Sequence, residues 1–454
     1  MSLIVVSNRE PLQQQNGTWE PSVGGLTTAL LPVLQEQGGT WVAWGEERPD
    51  EVPRIDYPEQ NPVLRVERIK LSDDELDNFY YGFANQTLWP LCHYFTERLT
   101  IDRGFWQTYR EINHRFVGRT DDVYEPGDTV WIHDYHLMLA PALLRERQSE
   151  ATVGFFFHIP FPAPEVWRML PWARDIVEGL LGSDLIGFHC DEYADNFCAA
   201  AAELLGVEVD GHVIRYQDRS VHVETHPIGI DTERFSEMVE RDEARTQAEH
   251  FKHDFKSDYL IVGVDRLDYT KGVPERLLAF EKFLQDNPDY HGRVSFYQIA
   301  APSRTHIDDY QRLKREVDEI AGRINGAYMT DDWVPVRYLN RKHPQHELVG
   351  IYLAADIAMI TPYRDGMNIV AQEFVWTSER GVLMLSHLTG AAEILEDALI
   401  VNPLDIGAVA EAIREGLELS EAERRIRLEK MRDAVERCDV HRWAEGFVDS
   451  LKRV

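Results

Sequence analysis

Lysine is the residue this chain does almost without: it occurs only at Lys70, Lys252, Lys256, Lys271, Lys282, Lys314, Lys342, Lys430 and Lys452, and arginine supplies most of the positive charge. Even together, the 47 basic residues fall far short of the 78 acidic ones, leaving a formal net charge of −31. That deficit argues against nucleic acid and anionic membrane as partners, since both would be repelled. Any anion site must therefore be assembled locally. A surface so rich in acid and poor in lysine suits a salt-rich cytoplasm, where screening removes the self-repulsion, and a halophilic origin is the expectation. No run of 18 apolar residues occurs, and the start Met1-Ser2-Leu3-Ile4-Val5-Val6-Ser7 is a strand pattern with no basic segment before it. The chain is expected to stay in the cytoplasm. Cysteine is limited to Cys92, Cys190, Cys198 and Cys438, too scattered for a disulfide framework, and the four are read as reduced core residues. There is no internal repeat and no low-complexity segment.

What the chain does have is material for a core: 44% of its 454 residues are hydrophobic and 28% are charged. Its length, at roughly 100–200 residues per domain, points to two or three domains. Short β-branched or aromatic runs alternate with amphipathic stretches, the pattern of parallel strands joined by crossover helices. Strands are expected at Leu3–Ser7, Thr129–His133, Val153–His158, Leu185–His189 and Val221–Thr225, then at Tyr259–Val264, Val294–Ile299, Val336–Leu339, Ile357–Ile360, Val382–Leu385 and Leu399–Val401. Between the two sets lie Pro227 to Asp231 and a polar, helix-like stretch from Glu233 to Phe255. The expectation is an α/β protein with one lobe over 1–229 and another over 230–439. A C-terminal helix within 440–454, apolar at Trp443, Phe447, Val448 and Leu451, is expected to pack back on the first lobe.

In open α/β sheets ligands settle beyond the carboxyl ends of the strands, which directs attention to the residues that follow them. Ser7-Asn8-Arg9-Glu10 follows the first strand, and Gly24-Gly25 then opens a helix; paired glycines let backbone approach a phosphate, although a simple turn would use them equally well. Trp131-Ile132-His133-Asp134-Tyr135-His136 looks like a metal cluster, but its spacing puts His133 and His136 on opposite sides of an extended segment. A sugar-facing Asp134 fits better, with a buried, satisfied aspartate as the alternative. The strand before His158 breaks at Pro160 and Pro162, leaving that histidine at its carboxyl end in either a structural or a ligand-facing role. Arg266-Leu267-Asp268-Tyr269-Thr270-Lys271-Gly272 offers two cations and a glycine before an apolar-periodic helix, the makings of a pyrophosphate site or of a solvated surface pair. Arg304 also follows a strand and would clamp a phosphate monoester if it converged with Arg9. In the run Thr361 to Glu373, a helix beginning at Met367 would place Asp365 and the following amides at its N-terminus and Glu373 in its second turn.

Ser7-Asn8-Arg9, Gly24-Gly25, Leu88-Trp89-Pro90, Trp131 to His136, His158 to Pro162, Arg266 to Gly272, Ser303-Arg304, Gly322 to Gly326 and Arg364 to Glu373 carry a resemblance that runs through nearly the whole chain. It is to glycosyltransferase family 20, the glucosyltransferases that make trehalose-6-phosphate. The resemblance implies a GT-B fold, two Rossmann-like lobes with parallel sheets facing across a cleft, and no catalytic metal or other cofactor. It implies transfer of glucose, with retention, from UDP-glucose to glucose-6-phosphate for compatible-solute synthesis, with a trehalose-6-phosphate phosphatase acting downstream. By that likeness Gly24, Gly25, Arg266 and Lys271 hold the donor pyrophosphate. Asp365, with the backbone of Gly366, Met367 and Asn368, grips the donor glucose, Glu373 holds its ribose, and Ile369 and Val370 also belong to the donor site. Arg9, Tyr80, Trp89, Asp134, Tyr135 and Arg304 form the acceptor pocket, and Arg266, Lys271, Asp365 and His158 are the catalytic set.

The chain departs from the family at Gln372, often a lysine, and at Arg341-Lys342-His343, which leaves ADP-glucose and GDP-glucose open as donors. The nearest rival is glucosylglycerol-phosphate synthase, which uses ADP-glucose and glycerol-3-phosphate and resembles this chain at Asn8 to Pro11 and Thr40 to Trp44. Members of that group tend to lack the equivalents of Gly24 and Arg304. A catalytically silent sugar-phosphate sensor is the non-enzymatic alternative. The oligomeric state, a homo-oligomer included, is left open.

Overall fold

The computed structural model describes residues 2–15, 17–22, 25–45 and 52–454. The chain divides into two compact units, Met1–Ile228 with Val440–Val454, and Gly229–Asp439.

The first unit is built on a sheet whose strands run, edge to edge, Glu208–Asp210, Val213–Tyr216, Arg219–Thr225, Leu185–Phe188, Thr152–Phe156, Thr129–His133, Leu3–Arg9, Gly39–Trp44, Leu64–Ile69 and Arg54–Tyr57. The central strands are parallel. They are covered on both faces, which is why Leu3 to Val6 and Val130 to Ile132 read as continuous apolar runs. Leu3–Arg9 comes first; Gly39–Trp44 lies on one side of it and Thr129–His133 on the other, so the strand order reverses at this point. Arg9 and Asp134 stand at the carboxyl ends of those two strands, the usual place for a ligand.

Several boundaries differ from expectation. The first strand continues two residues past Ser7, making Arg9 its last residue. The strand before His158 stops at Phe156, so His158 lies beyond it in an irregular segment. Gly39–Trp44 and Leu64–Ile69 are additional strands. The second is disguised by buried charge: Arg68 Nε pairs with Glu10 Oε2 at 2.7 Å, and Glu67 Oε2 with Arg119 Nη2 at 2.5 Å.

The helix Val440–Leu451 belongs to this unit. Trp443 and Phe447 rest on Trp131, with ring centroids 5.1 and 4.5 Å away. Glycine makes the approach close: a Cβ at Gly154 would come within 2.7 Å of Leu451, and one at Gly187 within 2.6 Å of Phe447.

The second unit carries a fully parallel sheet in the order Val336–Leu339, Val294–Ala301, Tyr259–Arg266, Ile357–Ile360, Val382–Ser386, Leu399–Val401. Its order reverses between Tyr259–Arg266 and Ile357–Ile360, whose carboxyl ends lead into the Arg266 to Gly272 loop and the Thr361 to Asn368 loop. Arg266 is the last strand residue, two beyond the expected end. The stretch expected from Glu233 to Phe255 is two helices, Thr232–Glu240 and Asp242–Phe255, because Arg241 between them is extended. Cys92, Cys190 and Cys198 are buried free thiols, whereas Cys438 is half-buried and so not a core residue. Among the described residues no helix is long and apolar enough to cross a membrane.

Candidate functional site

On the first unit Arg9 donates from Nη2 to Tyr80 Oη at 2.9 Å, with its guanidinium 5.7 Å from that ring's centroid. Tyr80 sits on a π-helix, Asp77–Leu88, whose wide turns are tied by side chains. Asn85 Nδ2 donates to the Tyr80 carbonyl (2.7 Å) and Gln86 Nε2 to the Tyr81 carbonyl (3.1 Å). Such turns gather at functional sites because they re-aim side chains. Asn85 Oδ1 accepts from Tyr135 Oη at 3.0 Å, the Tyr135 ring lies 5.9 Å from Trp89, and His136 stacks on Tyr80 at 5.8 Å and 10°. Arg9, Tyr80, Trp89 and Tyr135 are thus one cluster.

Asp134 adjoins it with a positive φ of 73°, in a turn closed by the Leu137 amide donating to the Asp134 carbonyl at 3.0 Å. The segment after His133 therefore bends rather than staying extended. His133 Nδ1 meets His158 Nε2 at 3.1 Å, while His136 goes to Tyr80. Asp134 Oδ1 accepts the His158 amide at 3.3 Å. Burial holds His133 down to about 3, and burial, then the neighbouring His133 and His189, hold His158 well below the usual imidazole range. His158 is therefore a neutral ring at physiological pH, able to hydrogen-bond but not to supply charge.

On the second unit Lys271 Nζ pairs with Asp365 Oδ2 at 2.5 Å, joining the two loops at the strand reversal. Asn368 Nδ2 donates to the same oxygen at 2.9 Å. The helix here is Ile369–Thr377, so Met367 does not begin it. Asn368 is its N-cap, at φ 75°, with Oδ1 accepting the Ala371 amide at 3.2 Å. Asparagine tolerates this left-handed backbone and caps well, which moves the start two residues on. The amides of Ile369 and Val370 belong to the first turn, where no intrahelical acceptor exists. Gly390 lets its loop close on this one, since a Cβ there would lie 2.2 Å from the Gly366 carbonyl oxygen. Arg266 is exposed at the strand end.

Glu373, in the second turn, is buried and accepts from Tyr352 Oη at 3.1 Å. Burial pushes its carboxyl up to about 7, against the lowering effect of Tyr352 and Gln345. Arg304, at φ 45°, donates from Nη1 to Asp268 Oδ2 at 2.8 Å and to Tyr310 Oη at 2.5 Å. Gly24 lies outside the described residues, and Gly25 is the first residue of the helix Gly25–Gln37.

Sequence reasoning singled out the loops but not what braces them. Arg276 is fully buried, donating to Asp265 Oδ2 (2.5 Å), Thr361 Oγ1 (3.2 Å) and the Lys271 carbonyl (3.1 Å). An arginine inside the apolar-periodic helix Val273–Asp286 is a signal that could have found it. Nothing in the sequence marks Tyr310, Tyr352 or Asn85 as site residues. Among the described residues no group of three or more His, Cys, Asp or Glu is placed to hold a metal ion. The chemistry on offer is a cluster of rings with one arginine on the first unit, and on the second a cationic loop beside a helix N-terminus, an arrangement that attracts phosphate oxygens.

A family model described as "Glycosyltransferase family 20" matches residues 1–453. A bifunctional trehalose-6-phosphate synthase/phosphatase of Thermoproteus tenax is 43% identical over 99% of this chain, which spans 63% of that relative's length. The 56 kDa subunit of an α,α-trehalose-phosphate synthase (UDP-forming) of Kluyveromyces lactis is 39% identical, covering all of this chain and 96% of the relative. Among solved structures, an α,α-trehalose-phosphate synthase (UDP-forming) from Burkholderia xenovorans in complex with glucose-6-phosphate superposes with a TM-score of 0.91 at 34% identity, over 100% of both chains.

Proposed function

The chain belongs to glycosyltransferase family 20, and from that premise we propose that it transfers glucose, with retention, from UDP-glucose to glucose-6-phosphate, giving UDP and α,α-trehalose-6-phosphate. The observation that carries this reading is the Lys271–Asp365 pair at the start of Ile369–Thr377, where a cation, a carboxylate and first-turn helix amides stand together. Lys271 and Arg266, with Gly24 and Gly25, take the pyrophosphate. Asp365 and the backbone of Gly366, Met367, Asn368, Ile369 and Val370 take the glucose, and Glu373 takes the ribose hydroxyls. The names of the Kluyveromyces and Burkholderia proteins support uridine as the base despite Gln372 and Arg341 to His343. Arg9, Tyr80, Trp89, Asp134 and Tyr135 take the acceptor sugar and Arg304 its phosphate, with neutral His158 hydrogen-bonding near the transferred glucose.

In the chemical step the bond from the anomeric carbon to the β-phosphate oxygen breaks while one to the acceptor hydroxyl forms on the same face. The hydroxyl proton passes to the departing phosphate oxygen. Lys271 and Arg266 stabilise the charge gathering there, the electrostatic role that dominates in such sites. A phosphatase acting on the product is supported by the bifunctional name of the Thermoproteus relative. A cytoplasmic role in compatible-solute synthesis at high salt is supported by the charge of −31. The test is to offer purified protein UDP-, ADP- and GDP-glucose in turn with glucose-6-phosphate or glycerol-3-phosphate and identify the product. Glucosylglycerol phosphate would replace this reading with its rival, and no product from any pair would leave a sensor.

A further inference from the structure

Asp268 lies in the middle of the loop that carries Arg266 and Lys271, and it is fully buried. Its two oxygens face different partners. Oδ1 accepts the Thr270 amide at 3.0 Å and the Thr270 hydroxyl at 2.9 Å, capping the single turn Tyr269–Lys271 that ends at the donor-side lysine. Oδ2 accepts Arg304 Nη1 at 2.8 Å and Tyr310 Oη at 2.9 Å. Burial pushes this carboxyl up, but the guanidinium groups of Arg304 and Arg266, the Thr270 amide and the Lys271 ammonium outweigh it and hold it well below the usual carboxylate range. It is an anion throughout the working pH range. Arg304 needs such a partner: its backbone is left-handed, a conformation that a non-glycine residue keeps only when its surroundings over-determine it.

We propose that Asp268 is a positioning residue for both substrates, setting Lys271 against the donor through Oδ1 and Arg304 against the acceptor phosphate through Oδ2. One side chain then fixes the spacing between the two contacts. This rests on the roles proposed above for Lys271 and Arg304. A buried ion pair that merely holds a loop to its neighbour would also have these contacts, but it would not divide its effects between two substrates.

The test begins with the wild-type assay; absence of any product there rejects the proposed reaction and says nothing of Asp268. With an active enzyme, Asp268→Asn keeps the shape and removes the charge. Charge-assisted hydrogen bonds of this kind predict about a tenfold rise in the Michaelis constant for glucose-6-phosphate and about a tenfold fall in kcat. In an Arg304→Ala background the rise should vanish, because it travels through Arg304, while the fall in kcat persists. Two milder variants address one oxygen each and decide the matter even if Asp268→Asn does not fold. Tyr310→Phe should raise the acceptor constant severalfold without changing UDP affinity by calorimetry, and Thr270→Val should lower kcat without changing the acceptor constant. Wild-type kinetics in both, or single effects that multiply in the Asp268→Asn/Arg304→Ala protein, would reduce Asp268 to a stabilising contact.

Discussion

Around Arg9 the first unit gathers rings, whereas around Lys271 the second gathers charges. Tyr80, Trp89, Tyr135 and His136 are held by ring contacts and by hydrogen bonds from neutral side chains such as Asn85, Asn113 and Tyr109. Lys271, Arg276 and Arg304 are each held by an aspartate, at 2.5, 2.5 and 2.8 Å, and the last two of these aspartates are buried. Packed rings fix geometry through shape and add stability as they do so. Buried ion pairs fix geometry while adding little stability, since desolvation consumes most of the attraction. Damage to the first unit should therefore register mainly as unfolding; in the second, loss of Lys271, whose partner Asp365 is only half-buried and keeps Asn368, should register mainly as lost turnover.

The largest effect expected is on stability. Phe447→Ala, which removes the ring stacked on Trp131, should cost about 3–5 kcal/mol in urea unfolding and leave kcat of the folded fraction near normal. A small stability loss would erase the contrast. Next is Lys271→Ala, expected to lower kcat by an amount corresponding to about 2.7–4 kcal/mol with little change in melting temperature. Steady-state kinetics beside a thermal melt would show whether the second unit behaves as the opposite of the first. Arg304→Ala should raise the Michaelis constant for glucose-6-phosphate by the worth of a charge-assisted phosphate contact, roughly 1.5–3 kcal/mol, and leave UDP binding unchanged in calorimetry. Lysine at that position should recover only part, having the charge without the fork.

Glu373 provides a smaller, pH-dependent effect. Its folded value of about 7 lies above the ordinary 4.5. Its contribution to stability is therefore complete below the ordinary value and is lost as pH rises through about 7. Between about pH 5 and 8 the nucleotide-free protein should lose a few degrees of melting temperature that Glu373→Gln does not lose. UDP should shrink the difference if the ionised carboxylate takes the ribose hydroxyls. The smallest effect is diffuse: with a charge of −31, both units should melt higher as salt rises toward about 1 M, and a stability maximum at low salt would remove the halophilic reading.

What the sequence disclosed follows the same division. Val336–Leu339, Ile357–Ile360 and Leu399–Val401 match their expected limits residue for residue, and for the central Ile357–Ile360 the reason is that a buried parallel strand is a short apolar run with no polar face to confuse it. Leu64–Ile69 stayed hidden because Glu67 and Arg68 are buried as ion pairs, which no periodicity rule anticipates. The loops after Arg266 and Ile360 were legible as unusual polar clusters beyond strands. Their joining through Lys271 and Asp365 spans 94 positions and is a property of the strand reversal, not of local spacing. Asn368 was legible in principle, since asparagine favours both the N-cap and the left-handed region, and reading the helix from Met367 overlooked it. The aromatic cluster depends on the π-helix Asp77–Leu88, whose i+5 turns fit neither the period of a helix nor that of a strand.

The return of Val440–Leu451 to the first unit has a bearing on how the chain matures during synthesis. Trp443, Phe447 and Leu451 complete the packing over Trp131, Gly154 and Gly187. Translation reaches them only after the whole of the Gly229–Asp439 unit has been made. At roughly 5–20 residues per second that is a delay of about ten to forty seconds. Throughout it the strands Thr129–His133, Thr152–Phe156 and Leu185–Phe188 lack that cover, and by its end the second unit, continuous in sequence, has every residue it needs. The half that leaves the ribosome first is the last to close.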